Sequence, residues 1–476
     1  MSTELLAPLD LAFWHLESDG HPMHLGALAV FDAGPAGLAR PAAPERDLLA
    51  LLAARAAAVP RLRMRVRDVL LPVGGSAWST DGDFDVRRHV HEVRLDGEDF
   101  EAAATAAAGG LMGRPLERGR PPWEMYLLRS ADGRRFAVLV KLHHALADGM
   151  RAVAIGAGIF DEIADARTTG TRRPRPVPPR SWSAGPGRLA GFALSRMEEL
   201  GRAVGVGASV VRASRLDPRG PRALSAAPSG TRRLGTAVLP LDAVHAVRRA
   251  AGGTANDVLL AVVAGGLGRW LRERGDALPG VGPRALVPVS RRRPGGPPGS
   301  GNKLSAYLLD LPVAEPDPLL RLRAVREAMD RNKAAGPARG AGAVALLADQ
   351  LPPLAHRLGA SLAGGAARML FDVLVTSVPL PRAALSFGGC PLHALYPMAP
   401  LARGQSLAIA LTTHGGRVHA GLVADGEAVP DVDRLAAALT TELAALGAAV
   451  HADAPPTAPA GPAPGSSGRP VPAPQR

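Results

Sequence analysis

The chain has 476 residues, too many for one average domain, and its 47% hydrophobic and 21% charged residues exclude an intrinsically disordered protein. A single cysteine, Cys390, excludes an internal disulfide and argues against a cysteine-rich metal site, and no apolar run reaches the roughly 18 residues that span a bilayer. The net charge of +13 calls for an anionic partner, but aromatics are only 4% and no nucleic-acid reading motif is present, which argues against nucleic-acid binding.

A first unit is expected over residues 1–166. Its opening, MSTELLAPLD, has no basic segment followed by an apolar one, so no secretory signal is expected and a reducing cytoplasm suits the composition. LGALAVFD (from Leu25), FDVRRHVHEVRL (from Phe84) and FAVLVKL (136–142) predict strands. RDLLALLAARAAAV (from Arg46) and DFEAAATAAAGGLM (from Asp99) alternate with them and predict helices. The mixture predicts an α/β or α+β unit. PPWE, residues 121–124, sets Trp123 against two prolines, as a cleft wall or as core.

The most informative stretch is HHALADG, residues 143–149, which follows FAVLVKL and precedes a helical spacing of apolar residues at Val153, Ile155, Ile159, Phe160 and Ile163. Loops at such a strand-to-helix junction commonly carry chemistry. In extended backbone His143 and His144 point to opposite faces, so one can project into a cleft while the other packs behind it. A neutral imidazole, with an unperturbed pKa of about 6.5, can take a proton from an alcohol at neutral pH. Asp148 can turn inward to fix the loop, and Gly149 permits a tight backbone there.

Residues 167–233 read as a crossover linker with a helical patch, GRLAGFALSRMEELGRAVGVGASVV. Between Arg172 and Arg233 lie thirteen arginines, no lysine and three acids, Glu198, Glu199 and Asp217. This is a solvated linker, or a surface for anionic lipid headgroups or cofactor phosphates.

A second unit is expected over residues 234–450. Thr254 is a plausible N-cap with Asp257 in the first turn, and VLLAVVAGGLGRWL meets Arg269 and reads as a core helix rather than a membrane span. PRALVPVSRRR, NKLSAYLLDLPV and FDVLVTSVPL predict strands around a long Ala-rich helical stretch. GQSLAIALTTHGGRVHAGLVADGEAV predicts a hairpin that turns at His414, Gly415 and Gly416. Asn302 in SGNKLS is a candidate oxyanion donor or a turn asparagine, and Thr376 and Ser377 offer hydroxyls at a strand end. Residues 451–476, rich in Pro, Ala, Gly and Ser, are expected to be disordered. No GxSxG elbow, HExxH, Walker A or strand-GxGxxG-helix appears.

Taken together, the chain resembles the bacterial wax ester synthase/diacylglycerol acyltransferase family. The carrying stretches are PLDLAFWHLE (from Pro8), PMHLGALAVFD (from Pro22), RPLERGRPPWE (from Arg114), HHALADG, TANDVLLAVVAGGL (from Thr254), LVPVSRR (from Leu286), GNKLS (from Gly301) and the run from Leu395 to Asp425. The resemblance implies two chloramphenicol-acetyltransferase-like halves, each a mixed sheet with flanking helices, joined by a crossover and enclosing a tunnel. It implies acyl-CoA as co-substrate, with no metal and no bound cofactor, and diacylglycerol or a fatty alcohol as acceptor. It makes His144 the general base, gives Asp148 a structural role beside Arg291 or Arg292, and matches Asn256 and Asp257 to the family's ND pair. The composition and the arginine-rich crossover lead us to expect a cytoplasmic protein with peripheral contact to an anionic membrane or lipid-droplet surface. Two alternatives are a condensation-type amide- or ester-forming enzyme of the same superfamily, and a lipid-binding paralogue of weakened activity. The second rests on SVPLP at Ser377 to Pro381 and on the arginine-rich crossover.

Overall fold

Local chemistry starts three of the helices where the sequence predicts them. The carboxylates of Asp47 and Asp99 accept the N–H groups of Ala50 and Ala102, each at 3.0 Å, and begin α2 (Leu48–Ala57) and α3 (Phe100–Gly113). Thr254 and Asp257 exchange side-chain and backbone hydrogen bonds in a capping box that starts α6 (Ala255–Glu273). The remaining helices are α1 (Pro8–Leu16), α4 (Gly149–Ala157), α5 (Leu241–Ala251), α7 (Pro318–Ala335) and α8 (Val432–Asp453). The structure, a computed structural model, describes residues 4–18, 20–33, 47–147, 149–163, 221–227, 229–278, 280–290, 304–335, 354, 357, 369–381 and 383–453. Most of the expected crossover, the helical patch within it and the tail beyond residue 453 lie outside these residues.

Two six-stranded mixed sheets organise the chain. The first runs, in spatial order, β12 (Ser386–Phe387), β13 (Cys390–Met398), β2 (His24–Asp32), β7 (Arg135–His143), β6 (Trp123–Ser130) and β5 (Val90–Leu95). The second runs β10 (Leu304–Asp310), β9 (Arg284–Ser290), β11 (Val373–Ser377), β14 (Leu407–His414), β15 (Arg417–Asp425) and β8 (Arg232–Pro240). A small sheet, which the sequence did not lead us to expect, joins β1 (Glu4–Leu5), β4 (Ser76–Thr80) and β3 (Met64–Asp68). The β14–β15 hairpin pairs His414 with Arg417, and its turn uses positive φ at Gly415 (56°) and Gly416 (72°).

One strand crosses the expected boundary. Residues 386–398 lie within the predicted second unit, yet β13 pairs antiparallel with β2 of the first sheet, from Leu392 opposite Phe31 to Met398 opposite Gly26. The apolar run LYPMAP finds its cover there, so the two halves are interleaved rather than divided at residue 234. The approach is close because side chains are missing where backbones meet. A Cβ on Gly421 of β15 would lie 2.0 Å from the Pro397 carbonyl oxygen of β13, and one on Gly109 of α3 would lie 2.9 Å from the Arg232 carbonyl oxygen of β8. One core cluster accordingly draws Leu28 and Leu139 from the first sheet and Leu234, Ala408 and Val423 from the second.

Helix α6 is buried almost all round, as an apolar helix of this kind requires. Helix α8 is long and apolar enough to cross a membrane by length and composition, but its Leu435, Leu439, Leu443 and Leu446 lie in the second core.

Two buried histidines sit where the halves meet. His419 of β15 packs edge-on to Tyr396 of β13, and His21 lies beside Arg232, whose Nη2 donates to the Gly20 carbonyl at 2.8 Å. Burial pushes both imidazoles down to about 4. Their folded values lie below the unfolded one, so the stability they contribute is present above about pH 6.5 and is lost as pH falls toward 4. Thermal denaturation is therefore expected to show the melting temperature falling by several degrees over that window, and His419→Leu to remove part of the slope.

Candidate active site

Strand β7 sets the two histidines of HHALADG apart. Leu142 and Val140 face the core beneath α4, whereas His143 and Lys141 face the opposite side of the sheet. His144 follows as the chain turns, held by its N–H, which donates to the Met23 carbonyl at 2.7 Å.

His144 lines a cavity between the two sheets, about 180 Å³ in the volume open to the centre of a water molecule. One wall is first-sheet and α4 surface, including Ala27, Val140, Pro397 and Val153; the other is second-sheet surface, including Pro288, Leu374, Thr376, Ala410 and Thr412. Among the described residues, only His144, Thr376 and Thr412 bring polar side chains to an otherwise apolar lining. Thr412 donates its hydroxyl to the Val378 carbonyl at 2.6 Å, whereas the Thr376 hydroxyl has no hydrogen-bond partner among the described residues. An apolar chamber with one imidazole and one available hydroxyl can hold a greasy substrate and move a proton at one end.

Helix α1 supports both histidines with consecutive aromatic rings. Phe13 stacks on His144 with centroids 3.8 Å apart, and Trp14 meets His143 edge-on at 4.9 Å. Behind them lies a largely buried charge that the sequence reading missed. The Glu17 carboxylate sits between His24 Nε2 at 3.4 Å and His143 Nε2 at 3.5 Å, and Arg118 Nη2 donates to it at 2.6 Å. His143 Nδ1 accepts the Ala145 N–H at 3.0 Å, which places the ring proton of a neutral imidazole on Nε2, facing Glu17. Burial alone would raise the Glu17 pKa; the two imidazoles and the Arg118 guanidinium outweigh it and hold the carboxyl well below the usual carboxylate range. Burial lowers the His24 pKa, although Glu17 opposes this. The only local signal was Glu17 closing PLDLAFWHLE.

Glu17→Ala takes the carboxylate away from His143 and Arg118. It is expected to cost about 1–3 kcal/mol of stability and to lower kcat about tenfold or more with KM little changed, because the loop carrying His144 loses its backing. Glu17→Gln, which keeps an acceptor for His143, is expected to recover most of the rate. Thermal denaturation and steady-state kinetics on both variants check this.

Other expected residues fall elsewhere. Trp123 is fully buried core: its Nε1–H donates to the Leu62 carbonyl at 2.7 Å and its ring stacks on His89, and although it pairs with Leu142 of the cavity wall it is not itself among the lining residues. Asp257 is spent on the capping box, and neither it nor Asn256 lines the cavity. Gly149 begins α4. Asp148, Asn302, Arg291 and Arg292 lie outside the described residues.

The family model described as the wax ester synthase/diacylglycerol acyltransferase catalytic domain matches residues 6–259, and the WS/DGAT C-terminal domain matches residues 300–447. A probable diacylglycerol O-acyltransferase of Mycobacterium tuberculosis, tgs1, is 31% identical over 453 residues, covering 93% of this chain and 95% of its own length. A second from that organism, tgs2, is 30% identical over 465 residues, covering 94% and 99%. Among solved structures, a wax ester synthase/diacylglycerol acyltransferase from Marinobacter aquaeolei VT8 superposes with a TM-score of 0.68 at 23% identity over 94% of this chain and 100% of that one. The first condensation domain of the CDA synthetase gives 0.57 at 19% identity over 94% and 96%. These two likenesses bear on the fold.

Proposed function

Because this chain belongs to the wax ester synthase/diacylglycerol acyltransferase family, and is therefore an acyl-CoA-dependent O-acyltransferase acting on diacylglycerol or a long-chain alcohol, we propose that His144 is its general base and the inter-sheet cavity its acyl-transfer chamber. The observation that carries the proposal is that His144 is the single titratable side chain among the described residues lining that chamber.

The acceptor hydroxyl gives its proton to His144 as its oxygen bonds to the thioester carbonyl carbon. The C–S bond then breaks, and the imidazolium returns the proton to the departing CoA thiolate. Thr376 is our candidate donor to the intermediate oxyanion, from the opposite sheet. A positioned base contributes about 10²–10⁴-fold and one oxyanion donor about 10²–10³-fold. The remainder comes from holding two apolar reactants together. Thr376→Val removes that hydroxyl at nearly constant volume.

The condensation-type alternative rests on likeness of fold, which does not assign chemistry. The lipid-binding alternative requires the absence of turnover. The test offers purified protein palmitoyl-CoA with dioleoylglycerol, hexadecanol or a long-chain amine, and follows CoA release together with product mass. Ester formation supports the proposal, amide formation supports the condensation reading, and no product from any acceptor overturns both. We read the protein as cytoplasmic and peripheral to the membrane that holds its acceptor.

A further inference from the structure

The hairpin between β3 and β4 carries its bulky apolar residues outward. Leu70 is 91% exposed, Leu71 76% and Val73 60%, three of the most exposed large apolar side chains among the described residues, within four positions. Single exposed apolar residues are ordinary; a contiguous cluster marks a surface that something covers. The stem that bears the tip is basic. Arg63 and Arg67 are exposed, while Arg65 is engaged with Asp81 at 3.2 Å and Asp68, the acid of the hairpin, accepts the Ser76 hydroxyl at 2.9 Å. An apolar tip above exposed guanidinium groups, that of Arg63 lying over the Phe84 ring at 5.5 Å, complements an anionic bilayer, whose headgroups meet the cations while the hydrocarbon boundary receives the side chains.

The base of the hairpin is tied to the active-site loop. Arg61, one turn before β3, stacks over Trp78 of β4 at 4.0 Å, and its Nε donates to the Leu146 carbonyl at 3.4 Å. Arg65 Nη1 donates to the Gly119 carbonyl at 3.4 Å. A surface that holds the tip therefore holds the HHALADG segment in a fixed relation to it.

We propose that the tip formed by Leu70, Leu71 and Val73, with Arg63 and Arg67, is the site at which this protein docks on an anionic membrane. The inference rests on the reading above that the acceptor is a bilayer-dissolved lipid or alcohol. It locates a contact on the β3–β4 hairpin.

The experiment compares the full chain with its Leu70→Ser/Leu71→Ser/Val73→Ser variant by flotation with phosphatidylcholine vesicles, with and without phosphatidylglycerol. It also measures turnover of palmitoyl-CoA with hexadecanol in detergent micelles. The wild type is expected to float with the anionic vesicles, the variant to partition about tenfold less or worse, and micellar turnover to stay within about twofold. Arg63→Gln/Arg67→Gln is expected to weaken flotation on anionic vesicles alone. As a measurement independent of variant stability, Leu71→Cys in a Cys390→Ser background, labelled with an environment-sensitive fluorophore, is expected to shift to the blue on anionic vesicles. Unchanged flotation of the triple variant, or an unshifted fluorophore, overturns the proposal. So does a wild-type dimer that the triple variant converts to monomer, since a second copy would then be the occupant. Absence of micellar turnover in the wild type, with hexadecanol and with dioleoylglycerol in its place, would instead overturn the functional reading beneath it.

Discussion

His144→Ala is expected to lower kcat for acyl transfer by about 10²–10⁴-fold, with a much smaller change in KM and no loss of fold. The split follows from its surroundings. Its side chain is only partly buried and forms one end of a cavity whose other described lining residues are apolar or hydroxyl-bearing, so the apolar grip on the acyl chain survives the substitution. The backbone N–H bond to Met23 survives as well, because it needs no side chain. The neighbouring position behaves differently. His143 is 1% exposed, touches Trp14 and faces Glu17, so His143→Ala opens a buried gap and is expected to lower stability before it lowers the intrinsic rate. Circular dichroism and steady-state kinetics on the two variants separate a proton-transfer role from a packing role.

Glu442→Leu is expected to cost about 3–5 kcal/mol of stability, the largest single effect far from the site. Glu442 Oε2 accepts Arg321 Nη1 at 2.6 Å and Oε1 accepts Arg269 Nε at 2.9 Å, with the Arg321 and Glu442 side chains only 4% and 5% exposed. Arg321 also donates to the carbonyls of Glu315 and Pro316, each at 3.2 Å, so the charge is fixed in place between α6, α7 and α8. Gly265 of α6 makes the room, since a Cβ there would fall within 1.8 Å of Arg321 Nη1. Removing the carboxylate leaves a buried guanidinium without its counter-charge. Arg321→Met added to Glu442→Leu is expected to recover most of the loss, because an apolar pair of similar volume avoids desolvating either ion. Thermal denaturation of the three proteins measures it.

The sequence was most legible where structure is local. The N-cap at Thr254, the β14–β15 turn and the separation of His143 from His144 each depend on a few adjacent residues, and each stands as the spacing predicted, with the reciprocal bond from Asp257 added by the structure. Residues 386–398 were read into the wrong half because strand partners are chosen by which sheet face lacks cover, and spacing within the strand carries no trace of that. Trp123 illustrates a narrower limit. Period two put it on the same sheet face as Leu142, with which it pairs, but not in a row that the second sheet leaves open. Glu17 was missed because its role exists only across the 126 positions that separate it from His143.

The central claim is direct transfer of an acyl group to a hydroxyl, with His144 as base and no acyl-enzyme. Rapid-quench samples of wild type and His144→Ala, mixed with palmitoyl-CoA with and without dioleoylglycerol, report CoA release and intact protein mass together. No acyl adduct is expected in any sample, CoA release is expected from the wild type only when acceptor is present, and that release is expected to be lost in the variant. A stoichiometric acyl-protein adduct formed without acceptor, or equal acceptor-dependent release from His144→Ala, would contradict it.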